Sequence, residues 1–376
     1  MKILITIARI LVGLLFIFSG LIKANDPLSL SYKMQEFFEL WGMTRFNDHT
    51  LWLSVVMIAF EIIAGVALLL GWRMKLFSWL LLLLVLFFTF LTGYAYLSGK
   101  FKNCGCFGDC IPITPLTSFI KDLVLTLLIL FLFRHKDKIK PLFGNKLNLA
   151  LILLTVLFSF GVQWYMLNYL PLFDCLSFKK GKNITEEMKM PPGALTDSFA
   201  IRFIYEKEGK QFEFSAEELP ADLSAYTYKS RTDKLVRKGN AEPPIKGFTL
   251  SGITDADSTQ EVLSQPQAIL LFCEDFSQAG AGWQRDFAKL YAMAESGNIP
   301  VYAITGRMAQ AQQAIAGTPF AGIQVFTCDN TAIRTASRTS PTVYLLNKGT
   351  IVDKQSYRRI GRIAALLPGT AQSFSY

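Results

Sequence analysis

Five runs of about 20 apolar residues leave this chain few ways to fold: Ile3 to Ile22, Leu51 to Gly71, Leu76 to Leu97, Leu116 to Phe133 and Leu147 to Leu167. Each is long enough to cross a hydrocarbon core of roughly 30 Å, where only a helix or a closed barrel satisfies its own backbone. A mean hydropathy of +0.33 over 376 residues, 51% of them hydrophobic, is too apolar for one water-soluble globule of this length. The expectation is a multi-pass α-helical bundle with five spans.

Charge sets the expected orientation. The linker after the fourth run carries Arg134, Lys136, Lys138, Lys140 and Lys146, the densest basic cluster in any short loop, and such clusters stay cytoplasmic. Threading from there puts Met1 and Lys2 inside, the loops at residues 25–50 and 98–115 outside, and everything after Leu170 outside. The first run lacks a convincing small-residue cleavage site and reads as a retained helix rather than a signal peptide. Much of the excess in the formal charge of +9 lies in the cytoplasmic linker, so the lipid bilayer is its simplest partner and nucleic acid has no motif in its favour. The expected location is a bacterial inner membrane, with the N-terminus cytoplasmic and the C-terminal part periplasmic.

From about Pro171 the composition turns polar, with turn signals at Pro191 to Gly193 and at Pro243 to Gly247. Phe199 to Tyr205 and Phe212 to Ser215 flank a Glu-Gly-Lys turn and read as a β-hairpin. The last 130 or so residues alternate strand and helix signals: Ala268 to Phe272, Trp283 to Glu295, Ile299 to Ile304, Met308 to Ala316, Ile323 to Phe326, then Thr342 to Leu346 turning into Ile351 and Val352. A βαβ order followed by a hairpin argues for an α/β sandwich. The expected division is a four-helix membrane domain at 1–135, the basic linker and fifth span at 136–170, a β-rich connector at 171–242 and an α/β domain at 243–376.

All six cysteines fall on the outer side of this topology: Cys104, Cys106, Cys110, Cys175, Cys273 and Cys328. That is the distribution of disulfide chemistry in an oxidising compartment. Three of them lie in seven residues, and Cys175 returns to the membrane surface a few residues after the fifth span, within geometric reach of that loop. Lys100 and Lys102 would lower the pKa of a nearby thiol while Asp109 opposes this beside Cys110, so Cys104 or Cys106 is the better attacker. Structural bridges are the competing reading, with the loop stapled to Cys175 and Cys273 bonded to Cys328. A metal site fits poorly, because zinc ligand pairs are usually separated by about two to four residues and the two histidines, His49 and His135, lie on opposite sides.

Glu61 lies about ten residues into the second run, where an unpaired carboxylate is expensive, and Arg9 sits at a similar depth in the first. An Arg9 to Glu61 ion pair is expected, with Lys23 snorkelling outward. It serves as a clasp on helix register or as a polar group beside a quinone or in a proton path. Phe87, Phe88, Phe90, Tyr94 and Tyr96 are the aromatics that would line a quinone pocket, although aromatic residues in spans more often pack against lipid or neighbouring helices. Nucleotide-binding and triad-hydrolase motifs have no match.

The pattern Arg9, Gly13, Ser19, Gly20, Lys23, Asp26 and Pro27, followed by Glu61 ahead of Leu68 to Gly71, resembles the DoxX and MauE family of small membrane proteins over about residues 1–135. Cys104-Gly-Cys106-Phe-Gly108 looks like the MauE branch, which is linked with methylamine dehydrogenase. The resemblance implies a role in disulfide formation or maturation of exported proteins. From about Pro243 the chain is similar to thioredoxin-like domains, and Pro341 stands where that fold keeps a cis-proline beside its active site. It departs where Cys-x-x-Cys would stand, reading Ser277 to Gly280. The overall plan looks like bacterial relatives of vitamin K epoxide reductase, in architecture rather than sequence.

The leading expectation is a thiol–disulfide oxidoreductase of exported clients, with Cys104, Cys106, Cys110 and Cys175 as a relay. No cofactor is fixed by the sequence, and a quinone is the candidate electron acceptor. The alternative is a non-catalytic assembly or maturation factor that uses its degenerate thioredoxin-like domain as a binding module. A solute transporter would need repeated broken spans, and none is visible.

Overall fold

A computed structural model of the chain describes residues 1–101, 105, 107–195, 198–207, 209–215, 218–220, 222–237 and 242–367. Cys104 and Cys106 lie outside the described residues. Five helices are long and apolar enough to cross a membrane, and this is a multi-pass membrane protein. They are α1 (Lys2–Asn25), then after the shorter amphipathic α2 (Pro27–Leu40), α3 (Thr50–Leu70), α4 (Met74–Ser98), α5 (Pro115–Arg134) and α6 (Asn145–Tyr169).

Helices α1 and α3 pack antiparallel on small residues. A Cβ on Gly13 would stand 2.6 Å from Leu69, and one on Gly65 would stand 2.8 Å from the Gly13 carbonyl. Without a hydrophobic driving force in lipid, such close backbone approach is how helices gain contact. It sets the register in which Gly20 meets Ile62 and Glu61. The basic linker closes one end of the bundle: Leu142 N–H donates to Leu70 O at 2.9 Å, and Trp72 Nε1 to Asn145 Oδ1 at 3.1 Å. The α4–α5 loop with Cys110 and the chain after α6 lie at the other end.

The water-facing part begins with α7 (Ile184–Glu187), followed by the antiparallel strands β1 (Ser198–Lys207), β2 (Lys210–Ser215) and β3 (Thr227–Arg237) in the order β2-β1-β3. The β1–β2 pairing sets Tyr205 opposite Phe212, the hairpin that the alternation predicts, and β3 adds a third strand. Next come α8 (Thr259–Ser264), β4 (Ala268–Phe272), α9 (Trp283–Ser296), β5 (Val301–Thr305), α10 (Met308–Ile315), β6 (Gln324–Thr327), α11 (Asn330–Ala336), β7 (Thr342–Asn347), β8 (Thr350–Ser356) and α12 (Gly361–Ala364). Their five strands form one mixed sheet, β6-β5-β4-β7-β8, parallel from β6 to β4 and antiparallel across β7 and β8.

Both faces of that sheet are covered. In β4 the unbroken apolar run splits by period two, Ile269 and Leu271 into one core and Ala268, Leu270 and Phe272 into the other. The second core also takes Phe178 and Ile184, from the stretch expected as connector. Ile184 N–H donates to Gly349 O at 2.9 Å and Gly181 N–H to Ile351 O at 2.8 Å. Burying two such side chains contributes about 1.5–3 kcal/mol each, so residues around 178–188 are built into the α/β domain and the three-stranded sheet is an insertion between them and the rest.

Candidate functional site

Two segments distant in sequence meet at one end of the bundle. Cys110, in the α4–α5 loop, is disulfide-bonded to Cys175, just after α6, with Cα atoms 4.9 Å apart. The α6 segment is held there by Asn25, the last residue of α1, whose amide donates to Phe173 O at 2.8 Å and accepts from Phe173 N–H at 3.0 Å. Each bonded cysteine follows an aspartate, and each aspartate takes a cation from the α/β domain. Asp109 Oδ2 accepts from Arg338 Nη2 at 3.0 Å, and Asp174 Oδ2 lies 2.5 Å from Lys354 Nζ.

Arg338 is the centre of this junction and only 4% exposed. Its Nε donates to Asp26 Oδ2 at 2.7 Å, and its Nη1 donates to Arg334 O. Tyr32 on α2 presents its ring to Arg338 and Arg334 at 5.4 and 5.2 Å, and Arg334 in turn forks onto Glu274 at 2.8–3.0 Å. Burial raises the Asp26 carboxyl above its ordinary value, with Asp109 pushing the same way and Arg338 opposing. Burial pushes the Tyr32 hydroxyl up to about 12. Burial pulls the Arg338 guanidinium down, but Asp26, Tyr32 and Asp109 outweigh it and leave it raised. The cluster is therefore a desolvated cation shared by two carboxylates, the kind of arrangement that costs about 3–5 kcal/mol when one partner is removed.

Inside the spans, Glu61 is paired with Lys23 rather than with Arg9. Lys23 Nζ, 4% exposed, donates to both Glu61 oxygens at 2.6 and 2.8 Å, and Ser19 Oγ donates at 3.1 Å. The expected Arg9–Glu61 pair fails on register: the antiparallel packing that sets Gly20 beside Glu61 carries Arg9 to the far end of α3. There a Cβ on Gly71 would come within 3.3 Å of Arg9 Nη1. Lys23 does not snorkel out, because the carboxylate lies one turn away on the facing helix. A second buried carboxylate, Asp122 on α5, accepts from Lys121 Nζ at 2.5 Å and Thr92 Oγ1 at 3.0 Å. Both pairs face one small cavity of about 40 Å³ capped by Phe107.

A larger cavity of about 180 Å³ lies between α2, α3 and α4. Leu30, Met34, Phe37, Trp41, Phe87 and Phe88 form its apolar wall, while Lys23, Lys33, Thr92 and Gly105 of the cysteine loop also line it. Of the five aromatics expected there, Phe87 and Phe88 line it. Phe90 and Tyr94 pack on Trp41 with ring centroids 6.2 and 5.5 Å away, and Tyr96 stacks on Phe119 at 6.3 Å.

Cys273 and Cys328 are not bonded to each other; both are buried free thiols. They follow β4 and β6, which β5 separates, so about 9–10 Å of sheet lies between them against a disulfide limit of about 7 Å. They also enter opposite cores. Burial pushes the Cys273 thiol up to about 12 and the Cys328 thiol up to about 11, the reverse of a reactive cysteine. Ser277 to Gly280 form a turn capped by Asp275, which accepts from the Ser277 N–H at 2.9 Å and hydroxyl at 2.6 Å. Gly280 N–H donates to Ser340 O at 2.8 Å, beside the cis Ser340–Pro341 bond. A Cβ at Gly280 would collide with the Tyr357 hydroxyl at 2.1 Å. Among the described residues, no group of three or more His, Cys, Asp or Glu side chains could hold a metal.

Sequence reasoning missed Arg338, Lys354 and the pairing role of Lys23. One signal was in view: Asp109-Cys110 and Asp174-Cys175 are the same dipeptide, repeated on either side of two spans.

Residues 1–134 match the family model described as methylamine utilisation protein MauE, so the first four spans are MauE-like. Residues 199–238, which make up the three-stranded sheet, match a domain of unknown function, DUF8463. Protein TlpB of Flavobacterium psychrophilum is 31% identical over 128 residues, 33% of this chain and 35% of that protein. The match spans about a third of that relative's length.

Proposed function

We propose, with the MauE-like membrane part as the premise, that this chain is an inner-membrane thiol–disulfide oxidoreductase acting on exported proteins. The observation that carries the reading is the Cys110–Cys175 disulfide at the bundle end, formed by the same cysteine loop whose Gly105 helps to line the 180 Å³ cavity. Cys104, Cys106, Cys110 and Cys175 form the relay, in a periplasmic setting, and the α/β domain is a thioredoxin-like unit that presents clients rather than exchanging with them.

Exchange runs by attack of a client thiolate on one sulfur of a relay disulfide, giving a mixed disulfide that the second client thiolate resolves. The client leaves oxidised and the relay holds two electrons and two protons as a dithiol. A membrane quinone fits the 180 Å³ cavity in class: the wall is apolar and aromatic, and the Lys23 ammonium, with two of its three donors on Glu61, has among the described residues one left for a carbonyl oxygen. Bound there, it would accept the two electrons and two protons and return the relay to a disulfide. Lys23 orients that oxygen and Phe88, with its ring centroid 5.0 Å from Nζ, keeps the ammonium desolvated.

A second reading is favoured by the turn at Ser277 to Gly280 and by the inert Cys273: a non-catalytic assembly or maturation factor whose α/β domain is a binding module. Differential thiol trapping with mass spectrometry, on membranes with and without added quinone, separates the two. Quinone-dependent oxidation of the loop cysteines, abolished by Cys104→Ser or Cys106→Ser, is expected of the relay. Static, fully oxidised pairs would select the binding module.

A further inference from the structure

The Cys110–Cys175 bond, with Cys110 half-buried and Cys175 exposed, joins two segments that each send an aspartate to the α/β domain. Asp109 and Asp174 are each one residue from a bonded cysteine, so their Cα atoms stand within about 3.8 Å of Cα atoms that are themselves 4.9 Å apart. Onto these two aspartates the α/β domain places two buried cations from separate elements, Arg338 after α11 and Lys354 in β8, exposed by 4% and 7%. Lys354 also donates to Phe178 O at 3.0 Å, which ties its carboxylate partner to the core of the domain. Asp109 belongs to the bundle loop and Asp174 to the segment that enters the domain. The disulfide is thus a covalent link between two of the three carboxylates that accept these cations, Asp26 being the third.

We infer that docking of the α/β domain and closure of the Cys110–Cys175 disulfide are one linked equilibrium, with Arg338 and Lys354 as positioning residues for the two cysteines. A dithiol that reduces the bond becomes a disulfide itself and leaves Cys110 and Cys175 as protonated thiols. The loop carrying Asp109 is then free to part from Asp174. What remains across the seam is Arg338 on Asp26 at 2.7 Å, the Tyr32 ring against Arg338 and Arg334, and the end of α6, where Ser356 Oγ donates to Asn168 O at 2.6 Å and Arg359 Nη2 to the Tyr165 hydroxyl at 2.9 Å, so the seam loosens on the Asp109 side. Linkage makes the effect reciprocal: if the bond favours docking, docking favours the bond by the same factor.

The test uses the full chain in lipid nanodiscs and needs neither a client nor a quinone, so it stands or falls apart from the catalytic reading. Hydrogen exchange over residues 26–41 and 329–341 is compared between oxidised wild type and a Cys110→Ser/Cys175→Ser double variant; faster exchange of both segments in the variant is expected. In glutathione buffers, the oxidised fraction of the Cys110–Cys175 pair is followed by thiol trapping in wild type, Arg338→Gln and Lys354→Met. The equilibrium should shift toward the dithiol by about fivefold or more in each variant, the lower end of ordinary coupling energies. Arg338→Lys, which keeps the cation, should recover most of the shift. Unchanged exchange in the double variant, or redox equilibria of both cation variants within twofold of wild type, would overturn the linkage.

Discussion

Lys23 and Arg338 are both cations buried to 4% exposure and held by carboxylates, yet they sit in different solvents. Lys23 and Glu61 clasp α1 to α3 within spans, where a released charge has no water to meet. Arg338 clasps two units across a seam at the bundle end, and parting the seam would hydrate both sides. The first pair is therefore a condition of the bundle's assembly, and the second a condition of docking. The same chemistry is structural in one place and separable in the other because the alternative environments differ.

The largest expected effect breaks the first clasp. Glu61→Ala leaves Lys23 buried without its counter-ion and should cost about 3–5 kcal/mol, seen as loss of folded protein in detergent; Lys23→Met with Glu61→Leu should recover much of it, since replacing both partners removes the desolvated charge. Next, Arg338→Met strands Asp26 and Asp109 and should loosen the seam by about 2–4 kcal/mol while the α/β domain keeps its own melting transition. Calorimetry resolving two transitions in the variant against one coupled transition in wild type is the check; identical traces for variant and wild type would mean that the seam does not separate as docking requires.

Arg9→Gln sharpens the contrast from the other side. Among the described residues Arg9 Nε has no hydrogen-bond partner, and the residue sits at the C-terminal end of α3, so the change should cost about 1 kcal/mol or less by thermal shift. The smallest effect is in pH. Cys273 and Cys328 bind their protons more tightly folded than unfolded, so their stabilising contribution is whole below the ordinary thiol value of 9.0 and is lost as pH rises toward about 11 and about 12. Neither thiol should be alkylated at pH 8 in the folded protein, and a melting temperature that falls only above pH 9 is the expected profile, flattened in a Cys273→Ala/Cys328→Ala variant.

Much of this architecture was legible in the chain. Five apolar runs announced five spans because hydrocarbon admits little else, and the βαβ order followed by a hairpin announced an α/β sandwich, whereas the split of β4 between two cores appears only in the fold. The three-stranded insertion was half legible, since the β1–β2 hairpin alternates clearly while β3, Thr227 to Arg237, is mostly polar. The site was less legible. Depth along each span brought Arg9 level with Glu61, but depth counted from loop ends ignores the offset between neighbouring helices, and small residues at Gly13, Gly20 and Gly65 decide that offset.

By itself the sequence determined what depends on local composition: the spans, the cores of the α/β sheet, the crowding of cysteines beside the membrane, and Pro341 ahead of β7. Tertiary structure alone decided which partner each sulfur and each charge took. Cys110 meets Cys175 across 65 residues, Asp26 meets Arg338 across 312, and Cys273 misses Cys328 by one intervening strand. Pairing is settled by distance in space, and for residues this far apart that distance is set by helix register and strand order, which no local pattern encodes.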